Sequence, residues 1–225
     1  MNSFYNINFN NKKVLLRADL NVPLDKGHKV VDNTRIDALM PTLRKILEDG
    51  GSAIIMSHLG RPKGKYEPAL SLEHLCNTLR EKTGKTTYFA SDCIGEEAKE
   101  KAKELKKGEI LLLENIRFYP EEKKGDMGFA EKLAELGDFY INDAFGTLHR
   151  SHASTSVLAR IFKENRAFGA LVEKELEIIE NALSSPKKPF TVVIGGAKVT
   201  SKIGVIQYLM PAIDELIIGG GMMYS

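Results

Sequence analysis

Short, continuous apolar runs recur along the chain: Val14 to Ala18, Ala53 to Met56, Thr87 to Ala90, Ile110 to Leu113 and Phe139 to Ile141. Each is too short for a helix and rich in β-forming residues, so each predicts a strand. Between the runs, apolar residues fall at helical spacing. Leu39, Leu43, Ile46 and Leu47 form one stripe, Leu72, Leu75, Cys76 and Leu79 a second, and Ile94, Ala98, Ala102 and Leu105 a weaker third. Gly50-Gly51, Gly84 and Gly108 follow the stripes, where a glycine ends a helix by turning left-handed. Strands alternating with helices predict an α/β fold around a mainly parallel sheet. The runs are unbroken rather than alternating, which implies helices on both faces of that sheet.

The rhythm changes near residue 170. Val172, Leu176, Ile179 and Leu183 line one face of a helix whose other face is acidic. Ser184-Ser185-Pro186-Lys187-Lys188-Pro189 stops it, because proline cannot continue a helix. Phe190 to Ile194 then starts a fresh strand, Gly195-Gly196 leads into a helix, and Glu215 to Ile218 reads as a further strand before Gly219-Gly220-Gly221. The expected organisation is a three-layer, Rossmann-like first domain over residues 1–170, a connecting helix and linker over 171–185, and the start of a second α/β domain over 186–225. One strand–helix–strand unit is too small to be a domain alone, so the second domain reads as incomplete.

Composition narrows the function classes. Of the 225 residues, 43% are hydrophobic and 28% charged, with a net charge of +2. That near-neutral balance gives no reason to expect nucleic acid or an anionic membrane as partner. No run reaches the ~18 apolar residues of a membrane span, and the first residues lack a signal-peptide pattern, so the expected location is cytoplasmic. The two cysteines, Cys76 and Cys93, lack metal-ligand spacing. Cys76 reads as a core residue within its stripe and Cys93 as a free thiol in a loop. His28 and His74 have no sequence companions and receive no role.

In open parallel sheets, ligands bind beyond the carboxyl ends of the strands. Asp19-Leu20-Asn21 follows the first strand and Ser57-His58-Leu59-Gly60-Arg61-Pro62 the second. Glu114-Asn115-Ile116-Arg117 follows the fourth. Asn142-Asp143-Ala144-Phe145-Gly146 follows the fifth and runs on to His149-Arg150-Ser151-His152. Arg35 lies just inside the first helix, near a cap at Asp32 or Asn33. One rim thus collects Arg35, Arg61, Arg117 and Arg150 with His58, residue types that grip phosphate and carboxylate oxygens by forked, charge-assisted hydrogen bonds. Any one arginine after a strand is ordinarily a solvated loop residue, and Asp143 suits backbone hydrogen bonding better than chemistry. Convergence of four strand ends on one rim favours an anion site. In the second segment, Gly195-Gly196-Ala197-Lys198-Val199-Thr200-Ser201-Lys202 runs from strand through glycines into a predicted helix, with Lys198 and Lys202 sharing a face. It is not a P-loop, since no glycine immediately precedes Lys198. Glycines 219 to 221 suit either close approach of a flat ligand to backbone or an ordinary glycine-rich turn.

These motifs carry a resemblance. Asp19-Leu20-Asn21-Val22-Pro23, Ser57-His58-Leu59-Gly60-Arg61-Pro62, Leu113-Glu114-Asn115-Ile116-Arg117-Phe118, Asn142-Asp143-Ala144-Phe145-Gly146-Thr147, Gly195-Gly196-Ala197-Lys198-Val199 and Ile218-Gly219-Gly220-Gly221-Met222 resemble the phosphoglycerate kinase family in order and spacing, from about Lys13 onward. The resemblance implies a monomeric, two-lobed glycolytic enzyme moving a phosphoryl group between 1,3-bisphosphoglycerate and Mg-ADP, giving 3-phosphoglycerate and ATP. It implies that His58, Arg61, Arg117 and Arg150, with Leu59 and Gly60, cradle the 3-phosphate. Asp19 and Asn21 then hold the glycerate end and Arg35 meets the reacting carboxyl-phosphate. Lys198 and Lys202 reach the nucleotide phosphates and the moving group, while Gly196, Ala197, Gly219, Gly220 and Gly221 border the nucleotide. Arg35, Lys198 and Lys202 are the catalytic candidates. Leu148, Ser151 and Met223 depart from the family's usual alanine, and bulk at Leu148 bears on the His149-Arg150 turn. Family members continue past Ser225, so the expectation is a truncated chain. The carboxylate for Mg2+, which comes bound with ADP or ATP, lies in the part beyond it.

Two other readings differ in their demands. A nicotinamide-dependent oxidoreductase needs GxGxxG after the first strand, where this chain has Asp19-Leu20-Asn21-Val22-Pro23. A non-catalytic anion-binding module needs only the rim.

Overall fold

The computed structural model describes residues 3–196, 200 and 202–224. The chain divides into two compact units, one reaching Glu173 and the other starting at Lys174. The first is built on six parallel strands: β1 (Lys13–Arg17), β2 (Ser52–Met56), β3 (Thr87–Ala90), β4 (Ile110–Leu113), β5 (Phe139–Asn142) and β6 (Arg166–Phe168). Their order across the sheet is β3-β4-β2-β1-β5-β6. β1 sits centrally, in register Leu15 with Ile54 on one side and with Tyr140 on the other. Five of these strands are the predicted apolar runs.

Successive residues of a strand point to opposite faces, and both faces are dry. Val14, Leu16, Ala53, Ile55, Leu112 and Ile141 pack with Leu39, Leu43, Ile46, Leu75 and Leu79. These last residues lie on α1 (Thr34–Glu48), on the turn before α2 (Cys76–Thr83) and on α2 itself. Leu15, Ile54, Leu111 and Tyr140 pack on the other face with Ala98 and Ala102 of α3 (Glu96–Glu104), and with Phe129 and Leu133. That face is completed by α4 (Pro120–Lys124), α5 (Met127–Ala134) and α6 (Leu158–Ile161). Fully burying one such aliphatic side chain contributes roughly 1.5–3 kcal/mol. The expected three-layer α/β architecture is therefore what forms.

The caps differ in detail from the sequence reading. Gly84 ends α2 at φ +63°, and Gly50 follows the end of α1 at φ +86°. Gly108 does not cap α3, which closes at Leu105; it turns the chain into β4 at φ +75°. At the start of α1 the N-cap is Asn33, whose side chain makes no cap bond. Asp32 does that work instead, accepting from the Thr34 amide at 2.8 Å. Cys76 and Cys93 are both free and buried. Cys93 is the free loop thiol expected, between β3 and α3. Its burial raises the thiol well above its ordinary range, so it is a packed rather than a reactive group. His28 and His74, read as lacking companions, stack on one another at 4.3 Å and 6°.

α7 (Ala170–Ser184) begins in the first unit. Its first turn is anchored by Asp143, whose Oδ1 accepts from the Leu171 and Val172 amides at 3.0 and 3.2 Å. Asp143 thus serves backbone, as its residue type and loop position suggested. In the second unit β7 (Thr191–Gly195) pairs in parallel with β8 (Glu215–Gly219) around α8 (Ile203–Leu209). Val193, Ile217 and Ile218 of these strands are exposed.

Candidate anion-binding site

The carboxyl ends of β1, β2, β4 and β5 deliver the predicted residues to one rim. Ser57, buried at the end of β2, ties that strand to β1: its hydroxyl donates to Ala18 O and accepts from the Leu20 amide, both at 2.8 Å. The next residues form a tight loop held from two sides. Asn21 Oδ1 accepts the Gly60 amide at 2.7 Å, and Arg117 donates to Gly60 O at 3.1 Å. Gly60 sits at φ +62°, and a Cβ there would lie 2.7 Å from the Leu70 side chain, so any larger residue would strain the backbone and displace Leu70. Asn115 Nδ2 donates to Leu59 O and Leu70 O, and buried Glu114 accepts from Ser71 Oγ and the Leu72 amide. The rim loop is thus rigid before any ligand arrives.

Electrostatics set the roles. His58 is only 5% exposed, and burial together with Arg17, Arg117 and Arg35 lowers its pKa to about 2. It is a neutral imidazole. Burial, helped by Arg17 and Arg150, also lowers Arg117 from its usual value. The mutual influence of these groups places them in one cationic cluster. Arg61 and Arg150 are exposed and make no ion pair among the described residues. Leu148 is half-buried and, with Tyr140, Thr155 and Phe168, lines a cavity of about 330 Å³ behind the rim.

Arg35 forms an ion pair with Asp19, the arginine side chain 48% exposed. A solvated pair contributes little, about 0–1 kcal/mol. Arg35→Ala is therefore expected to leave the unfolding free energy of the chain within about 1 kcal/mol of wild type, read by chemical denaturation. A larger loss would make Arg35 a structural residue.

The second-unit candidates fare unevenly. Ala197 and Lys198 lie outside the described residues. Lys202 was expected within the helix, a turn after Lys198. Instead α8 starts at Ile203 and Lys202 is its N-cap. Gly196 and Gly220 have φ +148° and +67°, and a Cβ on Gly220 would lie 3.3 Å from the Gly196 amide nitrogen. The two glycine turns at the strand ends thus touch through backbone, while Gly219 and Gly221 flank that contact in sequence.

Sequence reasoning missed the groups beneath the rim. Arg17, absorbed into the first apolar run, is 1% exposed, and Glu122 is also 1% exposed. Arg17 Nε donates to Ser154 Oγ at 3.0 Å, and Ser154 donates from Oγ and N to the Glu122 carboxylate at 2.7 and 2.9 Å. Burial alone would raise Glu122, but His152, Arg17 and Ser154 outweigh it and hold the carboxyl below its ordinary range. A charged residue inside a run that otherwise reads as wholly buried was the available signal.

Comparison with known proteins agrees with this geometry. The family model "Phosphoglycerate kinase" matches residues 4–225. The cytosolic phosphoglycerate kinase of Triticum aestivum is 51% identical over 214 residues, covering 95% of this chain and 53% of that protein. The Moorella thermoacetica phosphoglycerate kinase is 50% identical over 216 residues, covering 96% and 54%. The solved phosphoglycerate kinase of Pyrococcus horikoshii superposes with a TM-score of 0.83 at 36% identity, over 98% of this chain and 55% of that one. The Coxiella burnetii enzyme gives 0.82, also at 36% identity, over 97% and 54%. The chain thus spans about half the length of these relatives, and it belongs to the phosphoglycerate kinase family.

Proposed function

We propose that this chain carries the phosphoglycerate-binding part of a monomeric, cytoplasmic phosphoglycerate kinase. The whole protein would pass a phosphoryl group reversibly between 1,3-bisphosphoglycerate and Mg-ADP, giving 3-phosphoglycerate and ATP. The observation that supports this reading is the rim itself: neutral His58 and half-buried Arg117 at the carboxyl ends of parallel strands, with exposed Arg61 and Arg150 in the segments that follow β2 and β5. A 3-phosphate would lie among Arg61, Arg117, Arg150 and His58, along the loop of Leu59 and Gly60. Asp19 and Asn21 would meet the glycerate end. Arg35, held by one solvated ion pair, is free to swing onto the reacting carboxyl-phosphate.

The chemistry suits these residue types. A carboxylate nucleophile is ionised at neutral pH and needs no general base. Phosphoryl transfer then depends on alignment and on neutralising the oxygens in flight. Arg35 offers that charge here; Lys198 and Lys202, with Gly196, Ala197 and Gly219 to Gly221, would serve the nucleotide. Among the described residues no group of three or more His, Cys, Asp or Glu could hold a metal ion. No step is assigned to a metal in this chain.

Calorimetric titration tests the reading. The 225-residue chain is expected to bind 3-phosphoglycerate saturably and Mg-ADP weakly, and to form no ATP from 1,3-bisphosphoglycerate and Mg-ADP. No heat with 3-phosphoglycerate would overturn the assignment of the rim. Steady-state ATP formation, free of host enzyme, would overturn the claim that the chain alone is a binding module.

A further inference from the structure

His58 is buried at the rim, and its two ring nitrogens have different fates. Nδ1 lies 3.3 Å from Arg17 Nη2. A guanidinium has donors and no acceptor, so Nδ1 must be the bare, accepting nitrogen and the ring proton must sit on Nε2. Nε2 has no hydrogen-bond partner among the described residues, yet it is absent from the buried unpaired atoms, so it keeps contact with solvent. Arg17 is itself fixed. Its Nε donates to Ser154 Oγ at 3.0 Å, and its Nη1 donates to Ala18 O. Ser154 Oγ donates to Glu122 Oε1 at 2.7 Å, and its amide donates to Oε2 at 2.9 Å. From Arg17 Nε through Ser154 the donors run towards Glu122, whose Oε1 also faces His152 Nδ1 at 3.6 Å, while Arg17 Nη2 is left to face His58.

We propose that Glu122, Ser154 and Arg17 form a buried relay that fixes the tautomer and ring orientation of His58, so that it presents an Nε2–H donor to an anion at the rim. Glu122 and Ser154 are positioning residues that touch no ligand themselves. The carboxylate supplies the counter-charge that lets Arg17 stay buried. The serine hydroxyl sets the direction of the guanidinium, and the guanidinium sets the ring. An Nδ1–H tautomer would point a second donor at Arg17 and leave a bare Nε2 facing the incoming oxygens. That would turn an attraction into a repulsion between lone pairs. Burial and three arginines keep the ring from protonating, so the tautomer alone decides whether His58 helps or hinders binding. That the anion is a phosphate rests on the phosphoglycerate reading; the tautomer does not.

Imidazole nitrogen NMR of the 225-residue chain, with His58 assigned by loss of its signals in His58→Gln, reads the tautomer directly. In wild type, His58 is expected to show a bare Nδ1 and a protonated Nε2. Ser154→Ala removes only the hydroxyl link, and Glu122→Gln removes the charge together with one of the two oxygens that accept from Ser154. Each is expected to bring up the other tautomer and weaken binding of 3-phosphoglycerate and of inorganic phosphate by roughly tenfold, the worth of one charge-assisted hydrogen bond. A wild-type His58 protonated on Nδ1 would overturn the proposal without any variant. An unchanged tautomer in a folded Ser154→Ala would overturn it equally. Failure of wild type to bind 3-phosphoglycerate, with the tautomer as expected, would sink the substrate reading and leave the relay standing.

Discussion

Replacing Glu122 with alanine is expected to destabilise the first unit by about 3–5 kcal/mol. The carboxylate is 1% exposed and so is Arg17, a buried counter-charge linked to it through Ser154. Removing one partner of such a pair leaves the other buried without compensation, which costs more than the pair contributes while intact. The Ser154 amide and hydroxyl lose their acceptor in the same step. Denaturant unfolding of Glu122→Ala beside Glu121→Ala checks this, because Glu121 is the exposed neighbour and its loss should fall within about 0.5 kcal/mol. Similar small losses for both would mean that Arg17 finds other compensation.

The sign of the pH dependence follows from the same network. Glu122 is held below its ordinary value of 4.5. Its contribution is therefore present above that value and is lost as pH falls through the folded value. The difference in stability between wild type and Glu122→Gln should shrink on acidification below about pH 4.5. Asp143 runs the other way. Burial raises it above 3.8 despite its hydrogen bonds to Thr42, Val172 and Leu171. Its contribution is complete below 3.8 and is lost as pH rises through the folded value. The wild-type curve sums both, so only the difference with Glu122→Gln isolates the relay.

Much of the scaffold was legible because it is written in apolar period. Val14 to Ala18, Ala53 to Met56 and Ile110 to Leu113 are wholly buried, and a run of that kind has few alternatives to a covered parallel strand. β6 was not, since Arg166–Phe168 is three residues long with one buried. The segment 153–157 hid more completely. Ala153-Ser154-Thr155-Ser156-Val157 forms a π-helical turn with Ala153, Ser154, Thr155 and Val157 buried. It is held by polar contacts, Thr155 Oγ1 donating to Arg150 O and Ser154 to Glu122. Small polar residues carry no hydrophobic period to read.

The candidate site divides along the same line. The residues that would touch ligand stand at strand ends in short motifs, where residue type and position together announce them. The residues that hold them do not. Glu122 lies in Pro120-Glu121-Glu122-Lys123-Lys124, which looks like a solvated charged turn. Its burial exists only because the fold brings it to Ser154 and Arg17, 32 and 105 positions away in the chain. Likewise His58 invites reading as a cation from sequence, whereas its burial, with the arginines around it, makes it neutral.

Arg61→Ala and Arg117→Ala are expected to weaken 3-phosphoglycerate binding by about 1.5–3 kcal/mol each, roughly 10- to 100-fold, if charged hydrogen bonds to phosphate are lost. The two arginines reach that result differently. Arg61 is exposed and makes no ion pair among the described residues, so its removal strands no other group and the loss should be confined to the ligand. Arg117 also holds Gly60 O at 3.1 Å, so Arg117→Ala loosens the loop that carries His58 and Arg61. Glycerate separates the causes. Lacking the phosphate, it should bind poorly to wild type and be indifferent to Arg61→Ala, while Arg117→Ala costs it only what the loosened loop costs. Calorimetry with both ligands at fixed ionic strength is required, because screening weakens exposed charge interactions. Equal losses for 3-phosphoglycerate and glycerate in Arg61→Ala would mean that this arginine acts through the fold, and the rim would lose its phosphate assignment.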